Sequence, residues 1–267
     1  MVRNEGSKAP ASRPLTRRAV LAGFALLAAP RAMADASPEA LTIAAAGDQV
    51  AVTRFAAAGS DKRPAVLLLH GSLGVELSPK AYERHAQALA AAGIDAYLVR
   101  YYDPADMAAL DEHTTKHAAR LAYRAQRFAH WAEQEAAVAA AIARRPESSG
   151  RIGLLGFSLG GYVAAATAAR DPQIAALAVM YGGMPPAFVP EVTRLPPLIV
   201  LHGEADRRIP VSEGEALVQL ARKVGAPAEL VTYPGEGHGF DRSAKNTAGM
   251  DAIARVVSFF QRTLTAS

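Results

Sequence analysis

Short apolar runs and longer segments with helical periodicity alternate along most of the chain. Seven apolar runs of four to seven residues are predicted to be strands: 50–55, 65–69, 96–99, 152–155, 174–180, 198–201 and 229–233. Several of them are apolar throughout instead of alternating with polar residues, which is typical of strands buried on both faces of a sheet. The alternation of strands with helical segments predicts an α/β fold with a mostly parallel central sheet flanked by helices.

Five segments beside the predicted strands have the periodicity of helices: 79–92, 118–143, 159–169, 212–224 and 246–264. In the last of them Ile253, Val256 and Phe260 recur at three- and four-residue spacing, so one helix face is apolar. Residues 103–116 are polar and contain Pro104, and we expect a loop there. Neither an internal repeat nor a linker interrupts residues 35–267, which are predicted to form a single domain.

The first 34 residues differ from the rest of the chain in charge. The 267-residue chain has a net charge of +4, but residues 1–34 alone carry +5, so residues 35–267 carry −1. This distribution removes the electrostatic argument for a nucleic-acid partner. An apolar run at 19–29 and the triplet Ala32-Met33-Ala34 follow the basic residues, which predicts a signal peptide cleaved after Ala34.

Two arginines, Arg17 and Arg18, precede the apolar run and resemble a twin-arginine export signal, although Ala22 stands where that pattern often has lysine. The resemblance implies export of a folded protein to a bacterial periplasm, with the export machinery as the partner of residues 1–34. A general secretory signal and an uncleaved anchor stay open as alternatives. We expect no stable membrane anchor, because the run is shorter than the roughly 20 residues that span a bilayer.

The strongest chemical signal is the segment Gly156-Phe157-Ser158-Leu159-Gly160, which joins a predicted strand to a predicted helix. A serine in a sharp strand-to-helix turn exposes its hydroxyl, and flanking glycines relieve crowding between neighbouring backbone segments. The pattern predicts Ser158 as a nucleophile. The backbone N–H of Leu159 is predicted to face the same space, where it could bind an oxyanion.

A serine nucleophile needs a histidine base and a carboxylate that orients it. His238 lies between two glycines after the last predicted strand, and Asp206 follows the strand 198–201. Loops after parallel strands share one edge of the sheet, so we expect Ser158, Asp206 and His238 to meet there. As alternatives, Asp206 could cap the following helix and His238 could be a solvated loop residue.

Further candidates follow other predicted strands. In His70-Gly71-Ser72-Leu73-Gly74, the backbone N–H of Ser72 is predicted to be the second oxyanion donor, and His70 a packing residue. Tyr101, Tyr102 and Met184 also lie after strands, and each is predicted either to bind substrate or to pack in the core.

Together these segments resemble the dienelactone hydrolase family of α/β-hydrolases over about residues 65–260. The matching motifs are Leu69-His70-Gly71-Ser72-Leu73-Gly74, Gly156-Phe157-Ser158-Leu159-Gly160-Gly161-Tyr162, Tyr181-Gly182, Leu201-His202-Gly203-Glu204-Ala205-Asp206 and Gly237-His238-Gly239-Phe240. The resemblance implies an eight-stranded, mostly parallel sheet and a triad of Ser158, Asp206 and His238. It also implies a small ester or lactone as substrate.

The chain departs from the family pattern at two places. The founding enzymes have a cysteine nucleophile and a glutamate in the first oxyanion loop, where this chain has Ser158 and Gly71. They hold a substrate carboxylate with two arginines; Arg242 matches one of them, and the segment 99–104 offers no clear match to the other. These departures favour an ordinary serine esterase over an enzyme for dienelactone itself.

The sequence contains no cysteine, which excludes disulfides and Cys-ligated metals. We expect no cofactor and no metal, because the proposed acyl chemistry needs neither. Acyl transfer to an alcohol or peptide cleavage would use the same three residues, and a non-catalytic periplasmic binding protein on a hydrolase fold is the alternative outside enzymes.

Overall fold

The computed structural model describes Met1, residues 37–59 and residues 61–265. The chain divides into the units Met1–Ala32 and Met33–Ser267, and every described helix and strand lies in the second. The predicted signal peptide, residues 1–34, lies outside the described residues apart from Met1, and it stays a prediction. None of the described helices combines the length and the hydropathy needed to cross a membrane.

The described residues form one eight-stranded sheet. Its strands are β1 Glu39–Ala45, β2 Asp48–Phe55, β3 Arg63–Leu69, β4 Asp95–Arg100, β5 Ser148–Phe157, β6 Ile174–Met180, β7 Leu198–Gly203 and β8 Ala228–Tyr233. They lie in the order β1-β2-β4-β3-β5-β6-β7-β8. Strands β3 to β8 pair in parallel, whereas β2 runs antiparallel to both of its neighbours. The predicted α/β fold with a mostly parallel sheet is confirmed.

Strand β1 is an element that the apolar pattern does not predict. It lies at the edge of the sheet, and only Ala45 among its seven residues is buried, while Leu41 and Ile43 are half-buried against the core. A tight turn at Ala46-Gly47 joins it to β2, with φ of 51° and 89°. Two consecutive residues with positive φ are the geometry of a two-residue hairpin turn, which glycine favours.

Six α-helices are described: α1 Pro79–Ala91, α2 Pro104–Leu110, α3 His117–Ala143, α4 Leu159–Arg170, α5 Val211–Lys223 and α6 Thr247–Leu264. Five of them match the predicted helices within two residues. Helix α2 corrects the prediction of a loop over residues 103–116. Asp103 and Asp106 form a reciprocal capping box around Pro104, and this local chemistry starts a helix too short to show apolar periodicity.

The core lies on both faces of the sheet, because successive side chains of a buried strand point to opposite sides. In β3, Leu67 and Leu69 pack toward the face that carries α3, α4 and α5, and Val66 and Leu68 pack toward α1 and α6. All four side chains are fully buried. The sheet therefore gives the loops at its carboxyl edge a rigid base.

Glu135 of α3 is an unusual member of this core. Its side chain is fully buried, and neither carboxyl oxygen has a hydrogen-bond partner among the described residues. Burial raises its pKa from 4.5 to about 8. The carboxyl group is therefore protonated at neutral pH in the folded protein and ionised in the unfolded chain, so stability falls as the pH rises from 4.5 to 8.

We expect Glu135→Leu to raise the free energy of unfolding by about 1–3 kcal/mol at pH 8, because it removes an unsatisfied buried polar group. The gain should shrink toward pH 5, where ionisation no longer favours the unfolded chain. Denaturant unfolding of the purified protein at both pH values measures it. Glu133→Leu, an exposed position on the same helix, is the control and should show no pH-dependent gain. Equal pH dependence in the two variants would contradict the prediction.

Candidate active site

Ser158 occupies the sharp turn between β5 and α4. Its backbone has φ 54° and ψ −119°, a conformation that costs energy for any residue other than glycine. The two glycines of the motif make the turn possible. A Cβ on Gly156 would collide with the carbonyl oxygen of Gly160, and a Cβ on Gly160 would collide with that of Leu69. No side chain fits at either position.

The structure brings Ser158, His238 and Asp206 into one hydrogen-bonded chain. Ser158 Oγ lies 2.9 Å from His238 Nε2, and His238 Nδ1 lies 2.7 Å from Asp206 Oδ2. The other carboxylate oxygen of Asp206 accepts the backbone N–H groups of Arg208 and Ile209, at 2.8 and 3.0 Å. The carboxylate is thereby held in one orientation, which favours the His238 tautomer with its proton on Nδ1 and leaves Nε2 free to accept from Ser158.

His238 is poised to act as a neutral base. Burial lowers its pKa below the ordinary value of 6.5, and the positive charges of Arg242 and Arg208 lower it further, whereas the contact with Asp206 opposes them. A lowered pKa keeps the imidazole unprotonated at neutral pH. Its ring also packs edge-on against Tyr181, with centroids 4.7 Å apart. Both effects prepare His238 to receive a proton from Ser158.

The predicted oxyanion loop lies directly against Ser158. A Cβ on Gly71 would lie 3.4 Å from the Ser158 Cβ, and Ser72 lines the same pocket as Ser158. Leu159 begins helix α4, so its N–H is one of the donors that the helix itself leaves without a partner. The predicted donors, the backbone N–H groups of Ser72 and Leu159, thus belong to two segments that adjoin Ser158.

The buried side chain of His70 holds the predicted oxyanion loop in place. Its side chain is buried and its Nδ1 lies 2.8 Å from the carbonyl oxygen of Gly71. Its ring stacks on Tyr101, whose hydroxyl donates to the His70 carbonyl oxygen at 2.9 Å. Burial lowers the pKa of His70 to about 4, so the ring stays neutral. This position agrees with the predicted packing role.

For two of the candidate substrate contacts the structure favours the packing alternative. Tyr101 is completely buried and supports His70, and Met184 belongs to the apolar core; neither lines the pocket at Ser158 or the pocket beside it. Both follow strands, as predicted, but their side chains turn back into the core. Tyr102 does line the neighbouring pocket, and Arg242 lines the pocket at Ser158.

Arg208 is a pocket residue that sequence reasoning missed. It lines the same pocket as Arg242 and His238. Neither arginine side chain pairs with a carboxylate of the described residues. The available signal was its position two residues after Asp206, in a loop at the carboxyl edge of the sheet. The His238 side of the pocket is consequently electropositive.

A buried polar network holds the turn that carries Arg242. Asp241 accepts from the Tyr181 hydroxyl at 2.8 Å and lies 3.0 Å from His85 Nε2. Burial raises the pKa of Asp241, but the hydrogen bonds from His85 and Tyr181 outweigh burial and lower it overall. Arg84 donates to the carbonyl oxygens of Asp241 and Arg242 at 2.8 Å each. Helix α1, strand β6 and the His238 loop are joined at this point.

Two adjacent pockets lie at the site. The pocket at Ser158 has a volume of only about 20 Å³. Beside it lies a pocket of about 350 Å³, and the two share Ser72, Leu73 and Leu77. A search of the described residues finds no group of three His, Cys, Asp or Glu side chains placed to hold a metal ion. The chemistry that this arrangement can perform is attack by a serine hydroxyl on an electrophile.

Comparison with known proteins agrees with this arrangement. Residues 51–264 match the family model described as "Dienelactone hydrolase family". A Yersinia pestis protein with the provisional name carboxymethylenebutenolidase is 30% identical over 145 residues, 49% of this chain and 51% of that relative. The matched segment therefore spans about half the length of that relative.

Two solved structures share the fold. A Klebsiella pneumoniae protein, described provisionally as a dienelactone hydrolase, has 22% identity and a TM-score of 0.69, covering 85% of this chain and 98% of that one. A Pyrobaculum calidifontis esterase has 21% identity and a TM-score of 0.62, covering 83% of this chain and 84% of that one. At these identities the likeness establishes an α/β-hydrolase fold and nothing finer.

We expect Arg242→Gln and Arg208→Gln each to raise the pKa of His238, because each removes a positive charge that disfavours the imidazolium. An NMR titration of the histidine ring protons measures the shift, with the His238 signal assigned from the spectrum of His238→Gln. Arg262→Gln, which changes a charge on α6, should leave the titration unchanged. An unchanged pKa in both pocket variants would show that these arginines do not act on His238.

Proposed function

The chain belongs to the dienelactone hydrolase family, and we propose that it is a serine hydrolase that cleaves a carboxylic ester or lactone through an acyl-enzyme on Ser158. The observation that carries the proposal is the hydrogen-bonded chain from Ser158 Oγ through His238 to Asp206. The neutral state of His238 supports it, since only an unprotonated imidazole can take the serine proton.

In the first half of the reaction His238 Nε2 takes the Ser158 proton while Oγ attacks the substrate carbonyl carbon. The carbonyl oxygen becomes an oxyanion, which the backbone N–H groups of Ser72 and Leu159 stabilise. His238 then gives its proton to the leaving alkoxide as the carbon–oxygen bond breaks. The products of this half are a free alcohol and an ester between the acyl group and Ser158.

In the second half a water molecule replaces the alcohol. His238 removes a proton from the water as its oxygen attacks the acyl carbon, and the same N–H groups stabilise the second oxyanion. Breakdown returns the proton to Ser158 Oγ and releases the carboxylic acid. In both halves Asp206 holds the imidazole tautomer and stabilises the imidazolium.

Two alternatives use the same residues. An alcohol in place of water would make the protein an acyltransferase, and an amide in place of an ester would make it a peptidase. Hydrolysis of esters is preferred, because Ser158 and His238 are only half-buried, so water can reach them, and because an alkoxide leaves more readily than an amine. A non-catalytic binding protein on a hydrolase fold is disfavoured, because binding alone would not require a strained serine, an oriented histidine and a carboxylate to lie together.

A carboxylate-bearing substrate is a second candidate, because Arg208 and Arg242 both line the pocket on the His238 side. Arginine side chains without a carboxylate partner at a reaction site are suited to bind a substrate anion. In that case Arg208, in the loop after β7, would be the second arginine, and the segment 99–104 after β4 would not need to supply one. Export through residues 1–34 to a bacterial periplasm is a further part of the proposal that comes from the sequence alone.

We expect Ser158→Ala to lower kcat for an activated ester on the order of 10⁴-fold or more, because it removes the nucleophile. Asp206→Asn should lower it by a similar order, because it loses the correct tautomer of His238. Stopped-assay hydrolysis of p-nitrophenyl esters measures both effects. Labelling of wild type, and not of Ser158→Ala, by a fluorophosphonate probe identifies the nucleophile. Ser212→Ala, at an exposed serine of α5, is the matched control.

Near-normal ester hydrolysis by Ser158→Ala would overturn the assignment of the nucleophile. Failure of the folded wild-type protein to react with the probe would favour the non-catalytic binding protein.

If the arginine pair binds a substrate carboxylate, esters whose alcohol carries a carboxylate should have a higher kcat/KM than the same esters capped as amides. The ratio of the two values should fall about 10- to 100-fold in Arg242→Gln, because a charge-assisted contact of roughly 1.5–3 kcal/mol is lost. Arg208→Gln should reduce it as well, and high salt should reduce it in the wild type. A ratio near one in the wild type would leave the neutral ester as the substrate.

A further inference from the structure

The 350 Å³ pocket beside Ser158 has an apolar wall and an acidic rim. Its wall consists of Leu73, Leu77, Tyr102, Met107 and Leu110, contributed by the oxyanion loop, the end of β4 and helix α2. Its rim consists of Asp111, Glu112 and His113. The volume falls within the range of small-molecule sites, which begins at about 300 Å³.

We propose that this pocket binds the acyl group of the substrate and selects an uncharged, apolar acyl chain of medium length. The proposal rests on the proposed function, since the acyl chain is the one that becomes attached to Ser158. It concerns a different part of the site from the arginine pair, which lines the small pocket together with His238.

The position of the pocket assigns it to the acyl side. His238 gives a proton to the departing oxygen, so the alcohol must lie on the His238 side of the pocket at Ser158. The larger pocket shares Ser72, Leu73 and Leu77 with that small pocket, but His238, Arg208 and Arg242 do not line it. It therefore opens from the oxyanion side, away from the base, where the acyl chain must extend.

The residues that line the pocket determine which acyl chains it favours. Leu77 and Met107 are 49% and 48% exposed, although both are large apolar residues, and both line this pocket. An apolar ligand that covered them would gain affinity with each CH₂ group that it removed from water. At the rim, the backbone N–H of His113 lowers the pKa of Asp111, which keeps that carboxylate ionised. A chain ending in a carboxylate would meet a like charge there.

The pocket wall is held in place before any ligand binds. Asp106 of α2 is completely buried and accepts hydrogen bonds from Trp131 Nε1 at 3.0 Å and from Arg127 Nε at 2.8 Å. The Tyr123 hydroxyl donates to it at 3.0 Å. These contacts tie α2 to α3, so the backbone that carries Met107 and Leu110 is already in place and less ordering cost opposes binding.

The test compares p-nitrophenyl esters of acetic, butanoic, hexanoic and octanoic acids. A fifth ester has the hexanoyl chain ending in a carboxylate (the ω-carboxylate ester). We expect kcat/KM to rise at least about tenfold from acetate to hexanoate, because each added CH₂ group is buried in the pocket. The ω-carboxylate ester should be at least about fivefold slower than the hexanoate at low salt, with a smaller difference at high salt. A profile that is flat or falls from acetate onward would overturn the proposal.

Met107→Trp fills the pocket, and it should reduce the ratio of the hexanoate to the acetate kcat/KM about tenfold, because the longer chain loses its buried contacts. Met250→Trp is the matched control, because Met250 of α6 is 47% exposed and lines neither pocket at the site. It should leave the ratio unchanged. An unchanged ratio in Met107→Trp, with the protein folded by circular dichroism, would overturn the proposal.

A binding measurement separates failure of this inference from failure of the proposed function. Trp131, the single tryptophan, lies 5.4 Å from the Tyr102 ring that lines the pocket. Hexanamide, which contains no ester, should change its fluorescence at concentrations where acetamide does not. If the protein hydrolyses esters but shows neither a chain-length preference nor hexanamide binding, the proposed acyl pocket is overturned and the serine hydrolase stands. Hexanamide binding without any ester hydrolysis would support the pocket and overturn the serine hydrolase.

Discussion

The close approach of backbone to backbone around Ser158 is the constraint on which the site depends. Strand β5 ends and helix α4 begins within a single residue, and Gly156 and Gly160 allow these segments to touch each other and the end of β3. The strained conformation of Ser158 persists because the buried sheet and the buried helix leave it no alternative. The favourable packing of the core thus offsets the strain of a conformation that exposes the Ser158 hydroxyl group.

The parallel sheet explains why distant residues meet at that hydroxyl. Strands β5, β7 and β8 end at the same edge, so the loops that follow them carry Ser158, Asp206 and His238 to one place. Hydrogen bonds then set their orientation, and the charges of Arg208 and Arg242 act on the pKa of His238. The same edge separates the pocket of Arg208, Arg242 and His238 from the larger apolar pocket that includes Met107 and Asp111.

Buried polar groups fix the loops around the site. Asp106 anchors α2, Asp241 anchors the turn of Arg242, and His70 supports the oxyanion loop. The first two are carboxylates with several donors each, and such groups specify one geometry because any other would leave a buried charge unpaired. Glu135 has no donor among the described residues. It is protonated instead, and it is the core group whose replacement by leucine is expected to be favourable.

The sequence alone determined the fold class, seven of the eight strands and the three residues of the hydrogen-bonded chain. Apolar periodicity indicates which residues are buried, and glycines indicate where backbone segments touch. Both signals can be recognised within a short stretch of sequence. It did not reveal β1, which is exposed, or α2, which is too short for a period. Whether Tyr101 and Met184 face the cleft, and whether Arg208 joins Arg242, was decided only by tertiary structure. A residue's place after a strand predicts its neighbourhood, but the direction of its side chain depends on packing partners that are distant in the chain.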